Sequence, residues 1–506
     1  MGLRRKNMSE LKIGWAKRNI TPPWSFALCG QLYRRYPKDV ETPLFATAFV
    51  LEKDGEQAVF VSHDLVMTTR DYYDALHEEL RGRKIPGLDV EKVMTNATHT
   101  HSAPYCGKDY DDIDYDLYGK VLPKGASFNI PDIPEGAKGG PDNMKYVAAL
   151  AADAVEEAWK NRAPGYFGNV LGRIPIAFNR RVVYKDGHAL MYGPTDVADF
   201  DRVEGDTDTG FELIYTFDLE KRLTGIVANT PCPSQIMEHS DFISADYWGR
   251  VRELMASEYG EDVFVLPLLS SAGDLAPRDL IRVEGIRGEL EDPTVIHSQS
   301  GVKRLSDMYT YADDREAAIQ ATKRIARRIV NEFKFCETEA REKMQADAVL
   351  VHSVKELKIP LRRVSLGETA VNGIKFLRLR RQWKNRVLTT DNVAEIYPIA
   401  GVLMRFLEQK KGASVDDIYH VVRLGDIAFA TNPYELYLGY GARIKARSRA
   451  PQTILVELSC GSRGYLPTAP AIRGGHYSAY VASGFAGPEG GDLIVEETLK
   501  TIEECF

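Results

Sequence analysis

The run Asn96-Ala97-Thr98-His99-Thr100-His101-Ser102-Ala103-Pro104 constrains this chain more than any other stretch. Only ten histidines serve 506 residues, and two of them fall here, one residue apart. Lys92 to Ala97 reads as a short buried strand, and Pro104 closes the run. On an extended backbone, residues i and i+2 share a face, so both imidazoles are expected in one pocket at a strand end. Neutral imidazole is the commonest metal ligand and the usual acid–base group near pH 7. Spacing alone leaves two readings open: a metal or catalytic pocket, and a polar strand end whose histidines satisfy backbone groups.

The length favours two to four domains, and 44% hydrophobic with 27% charged residues is ordinary for a soluble protein. A net charge of −7 gives no electrostatic case for nucleic acid or an anionic membrane. Cysteines 29, 106, 232, 336, 460 and 505 are scattered without a CxxC, which argues against a disulfide framework or a zinc knuckle. The basic start, Met1 to Asn7, is not followed by an apolar secretory segment, and no run is long enough to span a membrane. The chain is expected in the cytoplasm with a small-molecule substrate, and nothing in the sequence points to an oligomeric state.

Two strand-like runs, 44–51 and 58–62, flank the hairpin turn Asp54-Gly55. Residues 70–82, 144–161, 313–335 and 492–504 carry helical spacing. Residues 105–142 are rich in Tyr, Asp, Gly and Pro without a period, as a lid or binding loop would be. Residues 350–390 read as strand-like and basic. Further strands deliver Asn229-Thr230-Pro231-Cys232-Pro233, Ser270 to Asp274, Asn432-Pro433-Tyr434-Glu435 and Gly464-Tyr465. The mixed order of strands and helices predicts one large α/β (mixed α+β) domain over residues 8–506.

These strand ends, in this order, resemble the catalytic domain of the neutral (alkaline, non-lysosomal) ceramidase family. The matching landmarks are THTHSAP at 98–104, Ser244-Ala245-Asp246, Ser271-Ala272-Gly273-Asp274-Leu275-Ala276-Pro277, Gly425-Asp426 leading to Pro433-Tyr434-Glu435, and Gly464-Tyr465-Leu466-Pro467-Thr468. Together they cover roughly residues 11–500. Family members often carry a C-terminal immunoglobulin-like domain, which the resemblance does not include here. By resemblance, zinc is held by His99, Glu435 and Tyr465, and His101 serves as acid–base. An arginine against the substrate carbonyl falls on Arg173, with Arg180 as runner-up, and a further tyrosine falls on Tyr477. Asp64, Asp246 and Asp274 resemble carboxylates that orient imidazoles, or else turn caps.

The chain departs from the pattern twice. Where the family has a second histidine ligand, it has Cys232-Pro233, which leaves Cys232, His239 in the same loop, or a lost ligand. Where the family has a serine before proline, it has Ala276. Alanine offers no oxygen, so hydrolysis of ceramide by the family's route is not expected. The resemblance instead implies a zinc-dependent hydrolase of an amide, ester or glycoside-related bond in a small polar, possibly sugar-like, molecule. The alternatives are a metal-dependent lyase, isomerase or cyclising transferase using His101, and a non-catalytic binding protein.

Overall fold

The computed structural model describes residues 10–111, 122–281 and 315–506. The N-terminal run, residues 112–121 of the predicted lid, and the first two residues of the helix predicted at 313 lie outside them. The described residues form the expected mixed α/β body, built from three principal sheets. The first comprises β1 (Lys12–Asn19), β2 (Phe45–Lys53), β3 (Glu56–His63) and β4 (Val93–Ala97), with Ala163–Pro164 at one edge. The second contains β5 (Tyr166–Arg173), β6 (Gly210–Phe217), β7 (Leu223–Thr230) and β8 (Phe264–Leu269). The third contains β9 (Leu350–Pro360), β10 (Ser414–Leu424), β11 (Ile427–Thr431) and β12 (Gln452–Val456).

Period-two alternation decides how the sheets stack. On β2, Phe49 and Leu51 join a core shared with Phe167, Ile214, Leu266, Val422, Phe429 and Ile454 of the other two sheets. Ala46, Ala48 and Val50, on the opposite face of the same strand, pack instead in the core that holds the helices. That second core includes residues of α1 (Arg70–Arg83), α2 (Gly140–Asn161), α3 (Asp246–Tyr259) and α4 (Arg315–Glu342). The sheets thus meet along an inner apolar layer with helices outside. The β2–β3 hairpin turns at Asp54 and Gly55, both at positive φ, the pair of conformations that a tight two-residue hairpin requires.

Each sheet contains one parallel pair: β3 with β4, β7 with β8, and β11 with β12. Their carboxyl ends are stitched together across sheets. Asn229 donates to the Leu455 carbonyl at 2.7 Å, the Glu457 amide to Leu269 at 2.9 Å, and the Cys460 amide to Thr95 at 3.1 Å. Carboxyl ends of parallel strands are where α/β proteins place their sites, and Asp64, His99, His101, Cys232, Asp274 and Glu435 follow directly on these strands.

The region read as strand-like at 350–390 is corrected. A strand ends at Pro360, and a helical hairpin follows: α5 (Leu366–Gln382) and α6 (Thr390–Glu408). The physical reason is local. Ser365 accepts from the Glu368 amide at 3.1 Å while Glu368 accepts from the Ser365 amide at 2.8 Å, a capping box that nucleates α5. The straight-chain residues from Lys375 to Gln382 then favour a helix over a strand. Two further helices, α7 (Leu438–Arg447) and α8 (Pro488–Cys505), cover the third sheet. Among the described residues no helix is long and apolar enough to cross a membrane.

Candidate functional site

His99 and His101 do converge, though by a different backbone than an extended strand. Strand β4 ends at Ala97, and His99 takes the left-handed conformation with φ 66°. A non-glycine residue there is strained and is held only where its surroundings over-determine it. Here the His99 Nδ1–H donates to the Val66 carbonyl at 2.8 Å, which leaves Nε2 as a bare lone pair. That Nε2 lies 3.7 Å from Glu435 Oε2 and 3.3 Å from His101 Nε2.

The His101 tautomer follows from its neighbour. Arg180 Nη1 donates to Gln235 Oε1 at 3.1 Å, and a guanidinium can only donate, so the Gln235 amide nitrogen faces His101. That nitrogen donates to His101 Nε2 at 3.0 Å. The one lone pair of His101 Nε2 is thus taken up by Gln235, and the Gln31 amide nitrogen lies 3.3 Å from Nδ1 on the other side of the ring. Burial holds both imidazoles well toward the neutral form: it lowers the pKa of His99, and lowers that of His101 further with the neighbouring His99 adding to the effect. The loop passing over the His101 ring requires Gly30, at φ +98°, because a Cβ there would come within 2.6 Å of Nδ1.

Glu435 and Tyr465 are brought together by a short parallel pairing of Glu435–Leu436 with Tyr465–Leu466. The Tyr465 hydroxyl bonds Glu435, and burial followed by that carboxylate pushes its pKa up. Arg180 is 1% exposed, and its partners are all neutral: Tyr192 hydroxyl at 3.0 Å, Gln235, the Gly273 carbonyl at 3.1 Å and Tyr465 hydroxyl at 3.3 Å. Its Nε–H has no partner among the described residues. A buried cation with only neutral neighbours and a spare donor is ready to receive negative charge. Tyr477 stands edge-on to Tyr465, ring centres 6.0 Å apart, its pKa raised to about 12 by burial.

Other predicted residues lie elsewhere. Arg173 is exposed at the end of β5, its amide bonded to Glu332, so Arg180 and not Arg173 faces the imidazoles. The Cys232 thiol donates to the Ile176 carbonyl at 3.3 Å within the apolar core, away from the lone pairs. Burial drives its pKa up, so it is a thiol and not a thiolate ligand. His239 is exposed at the rim, its Nδ1 2.9 Å from the Tyr33 hydroxyl. Ala276 packs with Tyr184, Tyr192 and Leu280, and its own side chain offers no hydroxyl.

The three aspartates hold backbone and cations instead of imidazoles. Asp64 is bidentate with Arg252, at 2.6 and 3.0 Å. Asp246 accepts from the Met237 amide at 2.8 Å, and burial lifts its pKa to about 7. Asp274 accepts from Asn179 and from the Leu438 amide, both at 2.8 Å. Two residues were missed. Gln235 orients His101. Glu457, fully buried and raised in pKa by burial, accepts from the amides of Leu436 at 2.8 Å and Ala272 at 3.0 Å, fixing Glu435's strand to the 270–274 turn. Glu457 had a signal: a lone carboxylate inside the apolar run Thr453 to Leu458.

A metal ion makes definite demands on such a donor set. Among the described residues no group of three or more His, Cys, Asp and Glu is arranged to hold one. With the Tyr465 phenol counted, however, His99 Nε2, Glu435 and Tyr465 make three donors on one spot. Catalytic zinc takes three protein ligands and a water. The residues fit.

No protein-family profile matches the sequence, and no curated protein does. Solved structures do match. The chain superposes on neutral ceramidase from Pseudomonas aeruginosa with a TM-score of 0.65 at 16% identity, covering 98% of this chain and 75% of that one. A ceramidase complexed with C2 matches over the same shares with a TM-score of 0.64 at 15% identity. At such identity the likeness is one of fold: the chain has the neutral ceramidase fold.

Proposed function

We propose that this protein is a hydrolase whose pocket holds a divalent ion, zinc by its donor set, on His99, Glu435 and Tyr465. The ion, when bound, would supply a water acidic enough to attack a carbonyl near neutral pH. The chain's own residues account for the remaining steps. His101 holds Nε2, bonded by the Gln235 amide, beside that spot and is kept neutral by burial; exchanging that bond for the attacking water, it accepts the proton at Nε2 and returns it to the leaving group. Arg180, with a spare Nε–H and neutral partners, receives the charge that develops on the carbonyl oxygen. Tyr477 closes the side next to Tyr465.

The observation that carries the reading is the convergence of two neutral imidazoles, a carboxylate and a buried, under-partnered guanidinium at the strand ends. With Ala276 in place of a serine no acyl-enzyme is formed, so water attacks directly. An amide or ester of a small polar, sugar-like molecule is the substrate class. The test is turnover of an amide and ester panel in ¹⁸O-water, read by mass spectrometry. One labelled oxygen in the released acid is the expected result. A product without label contradicts hydrolysis and favours the lyase reading.

A further inference from the structure

The hairpin of α5 and α6 presents a surface that the pocket chemistry does not use. Leu366, Ala370, Ile374 and Leu377 recur at i, i+4, i+8 and i+11 on α5, one stripe of the helix. That stripe is in water: Leu366 is 74% exposed, Ile374 54% and Leu377 56%. The opposite side of the same helix is also apolar, with Leu379 and, just beyond the C-terminus, Trp383 buried in a small core with Ile396 and Ile399 of α6. A helix apolar on both sides is normally covered on both. Here one side is bare.

Charge marks what would cover it. Lys375, Arg378, Arg380, Arg381, Lys384 and Arg386 fall within twelve residues that contain no acidic residue, and all six are exposed. No ion pair joins any of them to a described carboxylate. The contrast on the same protein is α7, where Arg443 meets Asp492 at 2.5 Å and Arg447 meets Glu496 at 2.6 Å. The overall charge of −7 conceals this patch. The hairpin is also anchored beside the pocket. Tyr397 of α6 bonds Ser483 and lies within electrostatic reach of Glu435, and Val387–Leu388 pair with Ser127–Phe128.

We propose that the outer face of α5 docks on an anionic lipid surface, its Leu and Ile side chains entering the headgroup boundary while the six cations meet lipid phosphates. Bare aliphatic side chains flanked by Lys and Arg are the pattern of helices that lie in a membrane interface. Nucleic acid would use the cations and leave Leu366, Ile374 and Leu377 in water, and a second copy of this acidic chain would leave unpaired the charge concentrated on α5. The proposal does not depend on the hydrolase reading.

The test is cosedimentation of the full chain with vesicles of phosphatidylcholine alone and of phosphatidylcholine mixed with phosphatidylglycerol. The expected result is at least about tenfold stronger partitioning onto the anionic vesicles, falling with added salt. Ile374→Asp with Leu377→Asp, and separately Arg378→Glu with Arg381→Glu, should each abolish it while melting temperature and near-ultraviolet circular dichroism stay unchanged. Equal partitioning onto both vesicle types would overturn the proposal. So would a dimer, seen by light scattering, that either double variant dissolves without any vesicle binding, or binding to RNA in place of vesicles.

Discussion

Arg180 and Arg381 are the same residue in opposite circumstances. Arg180 is buried and directs its donors to Tyr192, Gln235, Gly273 and Tyr465, with only Nε–H left over. Arg381 stands in water on α5 among five other cations and no described carboxylate. The pocket therefore uses desolvation: few groups, each oriented, each made stronger by the low local dielectric. The hairpin uses number: many weak, screened charges that act only together and only against a surface of opposite sign. Substitutions in the first region should be costly one residue at a time, whereas the second should tolerate them singly and lose its role only in groups.

That contrast can be broken at its strongest point first. His101→Gln, which keeps the size and loses the base, should lower kcat about 10²- to 10⁴-fold and remove the acidic limb of the pH–rate profile. Circular dichroism should be unchanged. A variant with full activity would remove His101 from the chemistry.

Acid should reach the buried regions before the hairpin. His63, His77 and His352 are each held at about 4 by burial, and His420, whose Nδ1 lies 3.0 Å from His352, is lowered further by burial and by that neighbour. Their folded pKa values lie below the unfolded value, so the unfolded chain binds more protons and stability falls as pH drops from about 6.5 toward 4. For each group held near 4 the loss is on the order of 3 kcal/mol. Thermal melts across that range should show a steep decline, and His352→Gln should flatten it. A flat profile in the parent protein would contradict the burial.

Glu457→Ala leaves two buried amides, Leu436 and Ala272, without their acceptor. It should cost about 2–3 kcal/mol in urea unfolding, with Glu457→Gln recovering most of the loss. At the small end, Lys375→Glu on α5 should change stability by less than about 0.5 kcal/mol. A larger effect there would mean that the hairpin's charges are structural partners.

The sequence made the strand ends legible, because a metal or acid–base pocket needs side chains of a few types at the termini of apolar runs. His99 and His101 stand out that way, while Glu435 and Tyr465 join them only through the resemblance. Arg180 ranks below Arg173 in the sequence because Gly172-Arg173-Ile174-Pro175 is the closer match to the family's arginine segment. Only the tertiary path shows that one is buried and the other exposed. Cys232 was plausible by chemistry and wrong in direction, since side-chain orientation after Pro231 is not readable from spacing. Gln235 was invisible, as an amide gains meaning only from the Arg180 and His101 on either side of it. The α5 helix was misread because its apolar residues on both sides blur the helical period, although Ser365-x-x-Glu368 marked its start. The same double-sided pattern now singles that helix out.

The most direct test of the account is metal content of the purified protein by mass spectrometry after dialysis against zinc. The account predicts about one zinc per chain, lost in His99→Ala and kept in Cys232→Ser and His101→Gln, with circular dichroism unchanged in all three. Protein that retains no metal, or a His99→Ala variant that binds as much as the parent, would contradict it.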